Sequence, residues 1–298
     1  MPSSAKKATR SLTTAQKQFW NENGYLILSS FFEPAEVEAV NAVVDRRIQD
    51  PASFGNATID VLTGPYIGKR FRAAEAPPEA FQGPIKINDL FLDEPEVRNL
   101  ALNDRLTQVL AELLGDVPLV CNSLNFLWGS QQPAHFDTWY MPSPARQTKI
   151  SRLGRWLPRP QREEPPRQDH LAVSSICLED VHPDAGPLVY YPGTHKIEPY
   201  RFSHGGIHAI EAEMPACRAY LEQQLSQRKI EKKEFLGKAG DVFVWHGQLL
   251  HGGSQIHDPA RTRKTLVTHY WRVRDVEPER AVKVHRTGYY EKRAHQLQ

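Results

Sequence analysis

Along the first 117 residues the apolar positions recur at helical spacing; beyond them they fall into short alternating runs. Thr13, Thr14, Ala15 and Gln16 form a capping-box pattern opening a short helix that Asn23-Gly24 ends, and residues 25–28 then have the composition of a strand. Pro34 suits the first turn of a second helix, in which Val37, Val40, Val44 and Ile48 lie on one stripe. Residues 51–85, with scattered Gly and Pro, predict loops with short strands, followed by strand-like alternation over 84–90. Asp93 and Asn103 are the expected caps of two further helices. The second of these carries Leu106, Val109, Leu110, Leu113 and Leu114 on one side and stops at Gly115-Asp116.

From Pro118 onward, short β-branched and apolar runs between Gly, Pro and Asp predict an antiparallel barrel or sandwich. The expected strands are 119–128, 135–140, 171–178, 186–191, 241–245 and 265–273, with a helical insertion within 204–230. No internal repeat is visible. The fold expectation is a mainly β, α+β chain: one domain over 1–298, with a disordered tail over 1–12, helical support over 13–117 and a β core over 118–280.

Composition removes several function classes. With 40% hydrophobic and 24% charged residues the chain can bury a core, and its net charge of +2 offers no field for recruiting nucleic acid or an anionic membrane. No apolar run approaches the ~18 residues of a membrane span. The basic start lacks a secretory apolar segment, and a transit peptide is the weaker alternative to a tail. Cys121, Cys177 and Cys217 form no Cys-x-x-Cys pair and are expected reduced and buried, consistent with a cytoplasmic location. Oligomeric state, including a homo-oligomer, stays open. Residues 142–170 hold six prolines and seven Lys or Arg against three acids, which predicts a long loop. It is either a solvated excursion or a lid over a site that grips an anionic substrate.

The chemistry concentrates in His135-Phe136-Asp137-Thr138 and the distant run His246 to Ser254. Two ligands two apart on a strand point to one face, and a remote His can complete the two-His-one-carboxylate set of non-haem Fe(II) oxygenases. Twelve His in this chain give about 0.6 chance His-x-Asp matches, so the pattern alone proves little. A second match, His182-Pro183-Asp184, lies among turn-forming residues and is set aside as a loop. The first sits among β-favouring residues able to fix ligand directions. The same His and Asp residues also suit a Zn-dependent hydrolase, and a jelly-roll binding protein without turnover is a third class.

Taken in order, these segments resemble the phytanoyl-CoA dioxygenase family of Fe(II)- and 2-oxoglutarate-dependent oxygenases. The likeness runs through Asn23-Gly24-Tyr25-Leu26, Ile85-Lys86-Ile87-Asn88-Asp89, His135-Phe136-Asp137 and Leu178-Glu179-Asp180. It continues through 186–196, Gly240-Asp241, 246–254 and Arg263. The resemblance implies a double-stranded β-helix (jelly-roll, cupin-like) core, iron ligands His135, Asp137 and His251, and 2-oxoglutarate and O2 as cosubstrates. It implies hydroxylation of an aliphatic carbon of a small-molecule substrate with release of succinate and CO2. Arg263 matches the family arginine that clamps the distal carboxylate of 2-oxoglutarate, with Arg261 the near competitor. Thr265, two further along the expected strand, is placed to reach the same carboxylate. Lys86 matches a family lysine at the cosubstrate site, and Asn125 and Thr138 are further candidates beside the ligands. His246 is the rival third ligand; an odd separation from His251 would turn it to the other strand face. Phe136 and Ser175 depart from the family's frequent Gln and Trp, so an acyl-CoA substrate is not implied. Asp137 occupies the position that halogenating relatives leave small, which points to hydroxylation or another oxidation, with desaturation and ring closure left open.

Overall fold

A computed structural model describes residues 11–141 and 170–297. The expectations for residues 1–10 and for 142–169 lie outside that range. Leu12 does not belong to a tail: it is buried, and its N–H donates to Glu112 Oε1 at 3.1 Å.

Helix α1 (Thr14–Asn23) starts at the Thr13 capping box and ends on Gly24, whose φ of 77° lets the chain turn at once into β1 (Tyr25–Leu28). Helix α2 (Pro34–Gln49) carries the valine stripe. It is followed by the antiparallel strands β2 (Thr58–Val61), β3 (Arg70–Arg72) and β4 (Ile85–Asn88). Helices α3 (Pro95–Ala101) and α4 (Asp104–Leu114) come next. Asn103 caps α4 as expected, but Glu94, not Asp93, precedes α3, because Pro95 takes its first turn. The β region comprises β5 (Pro118–Phe126), β6 (Ala172–Cys177), β7 (Leu188–Tyr190), the insertion helix α5 (Met214–Arg228), β8 (Lys233–Phe235), β9 (Val242–His246), β10 (His251–Gly253) and β11 (Thr265–Arg272). A closing hairpin, β12 (Ala281–His285) and β13 (Gly288–Glu291), joins the edge of β5 in parallel; the pattern of apolar residues did not predict it.

The strands form a large sheet, ordered β1-β9-β6-β11-β5-β4-β2-β3 with the hairpin added, and a small sheet ordered β10-β7-β8. Alternation assigns the large sheet's two faces. Leu26, Val244, Ile176, Leu266 and Ile87 join the stripes of α2, α3 and α4 in one core. Tyr25, Phe243, Trp245 and Val173 on the opposite face meet Tyr190 and Phe235 of the small sheet. Two facing antiparallel sheets with helices backing one of them make the expected jelly-roll, and the space between the sheets is where a site can form.

One predicted strand is corrected. Residues 135–140 make a single antiparallel bridge at His135 and then one 3-10 turn, Asp137–Trp139. Their β propensity is overridden by packing: Phe136 and Trp139 insert into a third apolar cluster with Phe202, Met214, Cys217 and Leu221 of the α5 insertion, and the turn aims both rings there. All three cysteines are free and buried. Among the described residues no helix is long and apolar enough to cross a membrane.

Candidate metal centre and cosubstrate pocket

His135 and His251 are locked together by reciprocal backbone bonds, His135 N to His251 O at 2.8 Å and His251 N to His135 O at 3.1 Å. Each ring then reaches back to its own chain: His135 Nδ1 lies 2.8 Å from Pro133 O, and His251 Nδ1 lies 2.9 Å from Leu249 O. A carbonyl only accepts, so both imidazoles carry the proton on Nδ1 and present Nε2 as a lone pair. Phe136 is extended, with φ −100° and ψ 137°, so His135 and Asp137 point the same way although no regular strand continues through them. Ligand atoms of His135, Asp137 and His251 all lie within 4.8 Å of one another, with His251 Nε2 at 3.7 Å from Asp137 Oδ1. Two imidazole nitrogens and a carboxylate gathered on one side fit a ferrous ion.

The electrostatics agree with that fit. Burial and the neighbouring His251 push the His135 pKa down to about 4, keeping its ring neutral and able to ligate at physiological pH. Burial raises the Asp137 pKa, but His251, His269 and His135 outweigh it, holding the carboxyl well below the usual carboxylate range.

Arg263 and Phe126 line the cavity beside the triad, the guanidinium 5.9 Å from the ring centroid. Leu124, Ser175, Leu188, Val267, Trp245 and His269 also line it. Arg263 is 5% exposed, no acidic side chain among the described residues pairs with it, and its Nε has no hydrogen-bond partner. Burial pulls its pKa down to about 10, still charged at neutral pH. Thr265 lies opposite both Phe126 and Cys177, on the same face, and its buried Oγ1 is likewise unpartnered. Arg263 lines the cavity while Thr265, two residues on along the same face, does not; the complement of a buried cation without a partner is an anion such as a carboxylate. The competitor Arg261 is instead exposed and paired with Asp258 at 3.0 Å.

The remaining candidates divide. Lys86 shares Phe126's face but its Nζ is 3.1 Å from Asp60, which Arg70 also holds, so its charge is already engaged. Asn125 lies opposite Leu266 and Ile87, facing the helices and not the cavity, and its amide is buried without a partner. Thr138 is buried in the turn after the ligands, its N–H on Gly247 O at 3.3 Å, and does not line the cavity. Phe136, a departure expected to reshape the pocket wall, packs into the α5 cluster; Ser175 does form part of that wall. His246 and His251 do not share one strand, so face parity does not separate them: the chain leaves the large sheet at His246 and enters the small sheet at His251. The His246 ring packs beside Trp20 and His195, away from the cluster. His182 and Asp184 sit in the expected loop, both well exposed.

Two residues that pattern reasoning passed over meet the Asp137 carboxylate. Trp245 Nε1 donates to Oδ2 at 2.7 Å, and His269 Nε2 lies 3.1 Å from Oδ1. His269 was recoverable: period-two alternation from Arg263 through Thr265 and Val267 brings it to the cavity face.

No curated protein matches the chain. Among solved structures, the non-haem alpha-ketoglutarate-dependent carbocyclase SnoK from nogalamycin biosynthesis is 16% identical, with 88% of this chain and 84% of that one covered at TM-score 0.60. EctD from S. alaskensis with bound Fe is 19% identical, with 89% and 78% covered at TM-score 0.60. The epimerase SnoN, in complex with Fe3+, alpha-ketoglutarate and nogalamycin RO, is 13% identical, with 93% and 96% covered at TM-score 0.58. At these identities the likeness shows a shared fold. The model of the phytanoyl-CoA dioxygenase family, however, matches residues 20–265, a span that includes the two histidines, the aspartate and the buried arginine, and the chain therefore belongs to that family of iron- and 2-oxoglutarate-dependent oxygenases.

Proposed function

We propose that this protein is an Fe(II)- and 2-oxoglutarate-dependent dioxygenase that hydroxylates an aliphatic carbon of a small-molecule metabolite, releasing succinate and CO2. The observation that carries the proposal is the pairing of a two-His-one-carboxylate cluster with a buried, uncompensated guanidinium in one cavity. A zinc hydrolase would have no use for the guanidinium, and a binding protein none for the open ligand cluster.

His135, Asp137 and His251 would hold the iron, which when bound supplies the redox chemistry for activating O2. The chain's own contribution is positioning. Backbone carbonyls fix both histidine tautomers, and the Arg263 fork with the Thr265 hydroxyl binds the distal carboxylate of 2-oxoglutarate. Leu124, Phe126, Leu188 and Val267 offer apolar wall to an aliphatic substrate carbon and exclude water from it. Ser175 leaves room where a larger side chain would narrow the cavity. Basic residues in 142–169 favour an anionic substrate, and the presence of Asp137 favours hydroxylation over halogenation.

Proteins of similar fold include a carbocyclase, an epimerase and an EctD complex with 2-oxoglutarate and 5-hydroxyectoine, so the outcome at substrate carbon is to be read from its product. Purified protein with Fe(II), 2-oxoglutarate and panels of metabolites should show substrate-stimulated succinate release, strongest for anionic compounds, and one oxygen atom from 18O2 in the product. A product lacking that oxygen sinks the hydroxylase assignment; no succinate with any panel sinks the dioxygenase.

A further inference from the structure

Asp137 is gripped from two sides by side chains outside its own motif. His269 on β11, Val173 on β6 and Trp245 on β9 lie opposite one another across three adjacent strands, all on the face that looks into the cavity. Trp245 Nε1–H takes Oδ2 at 2.7 Å, and His269 Nε2 takes Oδ1 at 3.1 Å. Both donors are deeply buried, at 2% and 3% exposure, so each needs a protein partner, and Asp137 is the one it has. An ionised carboxylate only accepts, so His269 carries its proton on Nε2. Its Nδ1 is buried without a partner, as suits an unprotonated nitrogen.

The two oxygens are not equivalent. Oδ1 faces His251 Nε2 at 3.7 Å, while Oδ2 is capped by the shorter bond from the indole. From this geometry, and resting on the iron-site reading above, we infer that Trp245 and His269 are positioning residues that hold Asp137 as a one-oxygen ligand with Oδ1 toward the metal. A carboxylate free to rotate can bind through both oxygens and fill a coordination position that 2-oxoglutarate or O2 requires. The indole cap opposes that rotation, and His269 fixes the tilt of the carboxylate plane.

Co(II) titration of the full chain, followed through its d–d spectrum, tests this without turnover. His269→Phe and Trp245→Phe should each weaken Co(II) binding about 10- to 100-fold and shift the bands. His269→Gln, whose amide N–H reaches to about the place of Nε2, should restore affinity to within a few-fold, with unchanged far-ultraviolet circular dichroism throughout. If His269→Phe does not fold, Trp245→Phe and His269→Gln carry the test. Wild-type affinity and spectrum in Trp245→Phe or His269→Phe would overturn the inference, as would a folded His269→Gln that binds no better than His269→Phe. Failure of the wild type itself to bind Co(II) would overturn the metal-site reading, and this inference with it.

Discussion

Among the described residues Arg263 is a buried cation with no anion beside it, an arrangement that costs free energy until a carboxylate arrives. Its planar fork makes two parallel bonds where an ammonium makes one contact, so Arg263→Lys is not a conservative change. The expected loss is about 2 kcal/mol or more, hence roughly 30-fold or more in 2-oxoglutarate affinity, with Fe(II) affinity little altered. Isothermal titration of both ligands checks it, and equal weakening of both would contradict the assignment. His135 yields a pH prediction for metal-free protein. Its folded pKa of about 4 lies below the ~6.5 of an unfolded histidine, so in that window only the unfolded chain binds the proton. Stability is then fully present above about pH 6.5 and falls with acidification toward pH 4, by up to about 1.4 kcal/mol per unit. Denaturant melts at pH 7 and 5 should show the fall, and His135→Gln should make it shallower, the remainder coming from His195 and His208, whose pKa values burial also lowers. A wild-type profile as flat as the variant's would contradict the burial of a neutral ring.

At the scale of elements, the metal cluster depends on how closely β10 approaches the segment leading to His135. A Cβ on Gly252 would lie 2.7 Å from Gln132 O and 3.1 Å from Ala134 N, both backbone atoms. Gly252→Ala should therefore push β10 away, destabilise the fold by about 1–3 kcal/mol and weaken metal binding as the His135–His251 bridge opens. Thermal melts with and without Co(II) measure both effects; unchanged metal binding would show that the bridge does not set the ligand spacing. Elements whose periodicity reflects one dominant face were legible in the sequence: the valine stripe of α2, the leucines of α4, and strands β5, β6, β9 and β11 all lie where alternation put them. The ligand segment was not. Phe136 and Trp139 favour strand locally, but their burial against α5, far away in sequence, decides for a turn. His135 and Asp137 converge all the same, because one extended residue between them is enough.

Across the whole molecule, the candidate site lies in the seam between two sheets. The helices brace the outer face of the large sheet, leaving its inner face free to carry Arg263, Thr265, His269 and Trp245, while the small sheet delivers His251. Arg263 became a candidate only through the family resemblance, and the fold adds that it is buried on the cavity face. The contacts of Trp245 and His269 with Asp137 arise only when β9, β6 and β11 are side by side, because a carboxylate shared between strands leaves no local signature. The central claim, that this seam assembles iron and 2-oxoglutarate together, is tested most directly by anaerobic titration of Fe(II) and 2-oxoglutarate, followed in the visible. The account predicts a weak charge-transfer band in the wild type that is absent from His135→Ala and weakened or absent in Arg263→Ala. Folded wild-type protein giving no band at saturating Fe(II) and 2-oxoglutarate, or a band undiminished in His135→Ala, would contradict it.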